Sequence, residues 1–76
     1  MAIDLSAGAE VITDTAAHTG RFCAIYFIED TTINALTAQN YTGNSVNGEA
    51  FRRDATIYGL FTSIQLTSGA CIAYNL

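Results

Sequence analysis

The sequence predicts an all-β protein, a single small antiparallel β-sandwich or barrel of about six to seven short strands. Threonine, isoleucine, tyrosine and phenylalanine recur in short runs broken by glycine and asparagine, a composition typical of strands and tight turns. Helix signals are sparse throughout. The 76 residues suffice for one domain. A chain that is 50% hydrophobic and only 13% charged is too apolar to remain disordered.

The strand boundaries follow from the apolar runs and the turn residues between them. Residues 1–9 show no stable pattern and are expected to form an N-terminal arm or docked segment, which leaves residues 10–76 as the single β domain. The polar stretch 39–48 is predicted to be the longest loop. The expected strands are 10–13, 21–29, 32–37, 49–51, 55–58, 60–67 and 70–75.

The last two apolar runs are separated by Ser68-Gly69, which is predicted to be the turn of a C-terminal hairpin. In that hairpin Leu66 would oppose Cys71, and opposed residues share a face of the sheet. One face would then be a core surface made of Leu60, Thr62, Ile64, Leu66, Cys71 and Ala73. The other face would carry Phe61, Ser63, Gln65, Ile72 and Tyr74.

Several strands carry large apolar residues on both faces. In the strand 21–29 one face would hold Cys23, Ile25 and Phe27, and the other Phe22, Ala24, Tyr26 and Ile28. An antiparallel sheet with one wet face should alternate apolar with polar residues. Each large apolar side chain that stays in water loses about 1.5–3 kcal/mol of the stabilising free energy that its burial would contribute. The second face is therefore expected to meet another chain, through Phe22, Tyr26, Ile28, Phe61, Ile72 and Tyr74.

Charge and hydropathy exclude several classes of partner. Three arginines, no lysine and a net charge of −4 argue against nucleic acid, whose binding depends on clustered cations. The longest apolar run, Phe22 to Ile28, is far shorter than the roughly 20 residues that span a bilayer. The N-terminus lacks the pattern of a secretory signal. These features predict a protein made and kept in a reducing cytoplasm, with no membrane partner.

No set of residues suggests catalysis, a metal or a cofactor, so the sequence predicts a non-enzymatic protein. The single histidine, His18, could share a metal with Asp14 or act as a base, but residues four apart meet on a helix and this segment is expected to be a turn. A solvated or capping role is therefore expected. Arg52 and Arg53 are expected to lie in a solvated turn. An alternative hypothesis is that they bind a carboxylate of a neighbouring subunit.

The two cysteines, Cys23 and Cys71, lie on faces predicted to form the core. Small buried thiols are the favoured interpretation, since free cysteine is among the most buried residue types. A disulfide within one chain or between chains is the alternative.

The chain resembles small virion proteins of tailed phages. The resemblance covers roughly residues 11 to 74 and lies in the stretch 29–37, in Thr42-Gly43-Asn44-Ser45, in the segment 57–64, in Ser68-Gly69 and in Ile72-Ala73-Tyr74. It implies a capsid decoration or cement protein on the head surface, made in the host cytoplasm, which binds the major capsid protein or another virion protein as a symmetric homo-oligomer. A trimer is favoured, because capsid lattices offer threefold positions.

Two alternatives remain open from the sequence. The chain could be the base of a head fibre or spike. It could also be a carbohydrate- or receptor-binding module in which Tyr41, Tyr58 and the loop 40–47 present aromatic and amide groups to a ligand.

Overall fold

The computed structural model describes residues 7–76 and confirms the all-β prediction. Its strands form one antiparallel sheet that curls into a half-barrel, so the barrel-like arrangement is the one observed and there is no second packed sheet among the described residues. The strands are β1 (Ala9–Ile12), β2 (His18–Phe27), β3 (Thr31–Ala38), β4 (Ala50–Phe51), β5 (Thr56–Ser68) and β6 (Cys71–Asn75).

The spatial order of the strands is β1-β6-β2-β5-β3-β4. The 13-residue β5 is the longest strand, and Gly59, expected to interrupt it, lies within it. The first part of β5 pairs with β2 and its last part pairs with β3. Because only residues 28–30 separate β2 from β3, the two ends of β5 must approach each other, and this requirement curls the sheet.

The predicted C-terminal hairpin is wrong. Ser68-Gly69 does turn the chain, but β5 and β6 do not pair; they lie on either side of β2 and are both antiparallel to it. Ser68 opposes Thr32 at the start of β3, while Cys71 opposes Phe27 at the end of β2. The short turn can make this connection because the curled sheet brings those two strand ends together.

The turn between β5 and β6 depends on Gly69. Its φ is +97°, and a Cβ at this position would lie 2.4 Å from Thr31 Oγ1 and 2.6 Å from the Asp30 carbonyl oxygen. The buried Thr31 hydroxyl also accepts a hydrogen bond from the Ala70 amide at 3.2 Å. Only glycine combines this backbone conformation with so close an approach.

The core lies on the concave face of the sheet and contains two aromatic residues that were predicted to be interface residues. Phe22 is 1% exposed and Phe61 is 0% exposed, and the two oppose each other across β2 and β5. The members of the core cluster are Ile12, Phe22, Ile25, Phe27, Ile33, Phe61, Ile64, Leu66, Cys71 and Ala73.

Irregularities in strand register explain why Phe22 and Phe61 were assigned to the wrong face. The pairing of β2 with both neighbours shifts between Phe22 and Ala24, so Phe22 joins the face of Ile25 despite a spacing of three residues. A β-bulge inserts one residue and reverses the alternation beyond it. Cys23, at the shift, is only partly buried, which corrects its assignment to the core, whereas Cys71 is buried as predicted.

Part of the predicted N-terminal arm lies outside the described residues, namely residues 1–6. Of the remainder, Ala9 belongs to β1 and Gly8 is docked, since its carbonyl accepts a hydrogen bond from the Asn75 amide at 2.9 Å. The loop predicted at 39–48 is present between β3 and β4.

Candidate functional site

The convex face of the sheet carries large side chains in two rows across the strands. In one row Ala24 of β2 lies between Tyr74 of β6 and Tyr58 of β5. In the next row Ile72 of β6 opposes both Tyr26 of β2 and Val11 of β1. Opposed residues share a face. We call the set Val11, Tyr26, Tyr58, Ile72 and Tyr74 the outer tyrosine face.

Much of the outer tyrosine face is open to solvent. Val11 is 62% and Tyr58 is 54% exposed, whereas Tyr26, Ile72 and Tyr74 are partly buried. The small Ala24 between the tyrosines is only 2% exposed. Adjacent apolar and tyrosine side chains on a sheet surface are typical of protein contact sites.

The outer tyrosine face contains three of the six predicted interface residues, Tyr26, Ile72 and Tyr74. A fourth, Ile28, directly follows β2 and is partly buried. Burial of Phe22 and Phe61 in the chain's own core corrects their assignment to an interface. Val11 and Tyr58 were missed as interface residues, although Val11 stands next to Glu10 in an apolar-polar alternation and Tyr58 follows Ile57.

Tyr26 is fixed at one end of this face. Its hydroxyl donates a hydrogen bond to Asp54 Oδ1 at 2.6 Å. This hydrogen bond raises the pKa of the Tyr26 hydroxyl, while the charge of Arg53 acts in the opposite sense. The tyrosine is therefore a neutral hydrogen-bond donor at neutral pH, held in place by a carboxylate.

The two arginines beside Tyr26 lie in the predicted turn. Arg52 and Arg53 are exposed, and the Arg53 amide donates to Asp30 Oδ1 at 2.9 Å. The turn continues through Asp54, whose φ of 71° is left-handed. Within residues 7–76 neither guanidinium forms an ion pair. Two cations are thus available at the Tyr26 end of the outer tyrosine face, and their docking to a neighbouring carboxylate stays a prediction.

A second polar feature lies where β1, its following turn and β2 meet. The His18 ring contacts the Glu10 carboxylate through Nδ1 and Asp14 Oδ1 through Nε2, the latter at 2.7 Å. The expectation that Asp14 and His18 would not meet outside a helix is therefore wrong. The turn 13–17 folds back so that the histidine at the start of β2 reaches both carboxylates.

The geometry of this cluster favours the imidazolium form of His18. Each ring nitrogen faces a carboxylate oxygen, and an ionised carboxylate only accepts hydrogen bonds, so both contacts are hydrogen bonds when both nitrogens carry a proton. The hydrogen bond with Asp14 raises the pKa of His18 above 6.5, with a smaller contribution from Glu10 and an opposing one from desolvation. The hydrogen bond from His18 lowers the pKa of Asp14 below 3.8. We call Glu10, Asp14 and His18 the histidine clasp.

The histidine clasp is not arranged as a metal centre. Its two ring nitrogens lie on opposite sides of the imidazole, and each already faces its own carboxylate. Over the described range 7–76, no group of three histidine, cysteine or acidic residues is placed to hold a metal ion. In the same range no helix is long and apolar enough to cross a membrane.

Within the chain both cysteines are free thiols and do not form a disulfide with each other. A disulfide between chains stays a prediction. The Cys23 Sγ donates to the Asn75 carbonyl oxygen at 3.6 Å. Burial raises the pKa of the Cys71 thiol to about 11, so this group stays protonated at neutral pH.

The 39–49 loop forms a small pocket against β3. The pocket has a volume of about 180 Å³ and is lined by Leu36, Ala38, Tyr41, Thr42, Gly43, Asn44, Ser45 and Val46. Several polar groups of the loop are engaged in its own structure. The side-chain oxygen of Asn40 accepts from the Leu60 amide at 2.9 Å, and that of Asn47 accepts from the Leu36 amide at 3.0 Å.

Tyr41 is likewise held by the fold. Its hydroxyl donates to the Tyr58 carbonyl, and its ring packs edge-on against Phe61 with centroids 5.4 Å apart. The residues predicted for ligand recognition are thus partly used for holding the loop on the sheet. Comparison with protein-family models, curated proteins and solved structures gave no match to this chain.

Proposed function

We propose that this protein is a non-enzymatic structural protein that docks through its outer tyrosine face, and that its specific role is a capsid decoration or cement protein of a phage head. The observation that carries the docking role is the outer face itself. Val11 and Tyr58 are largely exposed beside Ile72, Tyr26 and Tyr74, in a chain with too little volume to cover them. The virion setting is supported by the sequence resemblance.

The chemistry of this face suits protein more than other partners. Tyrosines offer large contact area together with a hydrogen-bonding hydroxyl, and arginine is enriched in interface cores. Arg52 and Arg53 stand at the Tyr26 end, in a chain whose net charge is −4. A partner surface with apolar residues and a carboxylate near that end fits this arrangement.

The outer tyrosine face also bears on self-association. A homo-oligomer repeats each contact by symmetry, so a modest face can stabilise an assembly. A standard interface covers about 800 Å² per partner, which is about a sixth of the 4587 Å² surface of the chain. The trimer expected from capsid symmetry stays a prediction.

The test is mass spectrometry of purified phage particles with counting of copies, using phage that carry this coding sequence. Hundreds of copies per particle support decoration. A copy number that matches occupation of only about a dozen capsid vertices supports a fibre or spike base. Absence from the particle would refute the virion role.

A variant tests whether incorporation into phage particles depends on the outer tyrosine face. In the double-serine variant, Tyr58→Ser with Tyr74→Ser, both rings that flank Ala24 are removed, and we expect loss of the protein from the particles. Asn34→Ala is the matched control, because Asn34 is exposed on β3, three strands away from β6. Equal incorporation of the two variants would contradict docking through the outer tyrosine face.

The second candidate, a carbohydrate-binding module, is favoured by one observation, the pocket beside Tyr41. Its apolar wall and the nearby Asn44 and Thr42 side chains are of the kind that hold a sugar ring. Glycan-array binding that is lost in Asn44→Ala, with particle incorporation unchanged, would support this function over the first.

A further inference from the structure

The free edge of the sheet differs sharply from the covered one. On one side of the sheet the outer edge of the long β3 is covered by the short β4 and the residues just before it: the Gly48 amide donates to the Ile33 carbonyl at 2.7 Å, and the Ile33 amide donates to the Glu49 carbonyl at 3.0 Å. At the other end of the sheet stands β1, which pairs with β6 on one side and with no other described strand.

The backbone alternation shows which groups of β1 point away from the sheet. The Asn75 amide donates to the Gly8 carbonyl, so Gly8 and Asn75 form a hydrogen-bonded pair. In an antiparallel ladder such pairs alternate with non-bonded ones. Glu10 and Ile12 therefore bond to β6, whereas Ala9 and Val11 direct their N–H and C=O groups outward.

Exposed edge strands usually carry protection against pairing, such as a charge, a proline or a bulge. The four residues of β1 contain no proline, and their pairing with β6 has no bulge. Their one charged residue, Glu10, lies on the concave side with the buried Ile12 and is bound by His18 of its own chain. Among residues 7–76 no segment pairs with this edge, and its single charge is bound by a histidine of the same chain.

We propose that β1 pairs antiparallel with β1 of a second copy of this chain, and that the histidine clasp controls this pairing through the charge on Glu10. This contact goes beyond the proposed docking through the outer tyrosine face. The register that uses all the outward groups sets Ala9 opposite the partner's Val11, and its twofold axis passes between the two Glu10 residues. This register also reduces the solvent exposure of the Val11 side chain in each copy.

A second copy fits this edge better than an unrelated strand for two reasons. The pairing is self-complementary, since each strand supplies the same two outward residues. It also places Glu10 directly opposite its counterpart, where Cβ atoms are about 4.5–5.5 Å apart. Two bare carboxylates at that separation repel, whereas two carboxylates each bound to an imidazolium do not.

The groups that face His18 determine the direction of the pH effect. Glu10 approaches from β1 and Asp14 from the turn, while β5 opposes His18 with the uncharged Ile64. β6 carries no charged residue opposite Glu10, which faces Ala73. Since the hydrogen bonds with Asp14 and Glu10 raise the pKa of His18, the imidazolium persists to a higher pH than in a free histidine and the clasp opens on the alkaline side.

The experiment is sedimentation equilibrium of the full chain at pH 5.5 and pH 9, with the double-serine substitutions present in every sample so that association through the outer tyrosine face does not contribute. We expect a dimer at the lower pH and weakening of the dimer by at least about tenfold at the higher pH, because two unpaired carboxylates on directly opposed residues repel each other across the interface. Glu10→Gln should dimerise equally at both pH values. Glu49→Gln removes an exposed carboxylate at the opposite edge and should keep the full pH dependence, which separates the clasp from net charge.

Two further variants identify the edge. Val11→Pro removes an outward N–H while leaving the bonds to β6, so it should abolish the dimer and keep the circular dichroism spectrum. Val11→Ser keeps the N–H and should still dimerise. A double-serine protein that is a monomer at pH 5.5, or whose dimer is unaffected by Val11→Pro, would overturn the edge pairing. Because the rings of Tyr58 and Tyr74 are absent from every sample, these outcomes do not bear on the outer tyrosine face.

Discussion

Replacing Phe61 with alanine should remove much or all of the stability of the fold. Phe61 is 0% exposed, opposes Phe22 and supports the ring of Tyr41 edge-on. Truncating a buried phenylalanine to alanine costs about 3–5 kcal/mol. At about 0.05–0.15 kcal/mol per residue, a 76-residue chain has an unfolding free energy of only about 4–11 kcal/mol.

The matched variant is Tyr58→Ala, three residues earlier on the same strand. Its side chain is 54% exposed on the outer tyrosine face. We expect a loss of about 1 kcal/mol or less, since substitutions at exposed sites rarely cost more. The contrast tests whether Phe61 belongs to the core and Tyr58 to a docking surface, an assignment that simple alternation would reverse.

The assay is urea unfolding monitored by circular dichroism and tyrosine fluorescence, which is suitable because the chain has no tryptophan. Measurements at low protein concentration keep association from adding to stability. The expected result is a Phe61→Ala protein that is unfolded or has a much lower midpoint, beside a Tyr58→Ala protein close to wild type. Equal losses in the two variants would refute the assigned faces.

Three other predictions follow from single features of the structure. Gly69→Ala should destabilise the fold far more than Gly43→Ala: both glycines have positive φ, but a Cβ meets Thr31 and Asp30 only at position 69, and thermal unfolding of the two variants checks this. The melting temperature should fall as pH rises through the raised pKa of His18, and it should also fall as pH decreases through the lowered pKa of Asp14. His18→Gln should remove the fall of the melting temperature on the alkaline side. In the folded protein iodoacetamide should spare Cys71, whose burial raises its pKa to about 11, and mass spectrometry showing rapid labelling of Cys71 without unfolding would contradict its position.

The fold class could be predicted from the sequence because composition and turn residues report directly on local structure. Strands were expected close to their observed positions, and the loop between β3 and β4 follows from its glycines and asparagines. The strand order could not be derived in the same way. Ser68-Gly69 fits either a hairpin or a crossing between the neighbours of β2, and only the curl of β5 decides between them.

The candidate site was predicted in part. Tyr26, Ile72 and Tyr74 share the convex face, as the excess of apolar residues suggested. Phe22 and Phe61 were misplaced because the register of β2 and β5 shifts near them, and an inserted residue leaves no mark on an alternation of apolar residues. The histidine clasp was missed because Glu10 lies eight residues before His18, and nothing in the sequence joins them.

The central claim is that the outer tyrosine face is a docking surface, and sedimentation equilibrium of the isolated protein at pH 9 tests it most directly. At that pH the edge contact is expected to be weak, so association reports mainly on the face. We predict a mass above that of the monomer at micromolar concentration for the wild type and a monomer for the double-serine variant. A stable wild-type monomer, or an oligomer that persists after removal of Tyr58 and Tyr74, would contradict the claim.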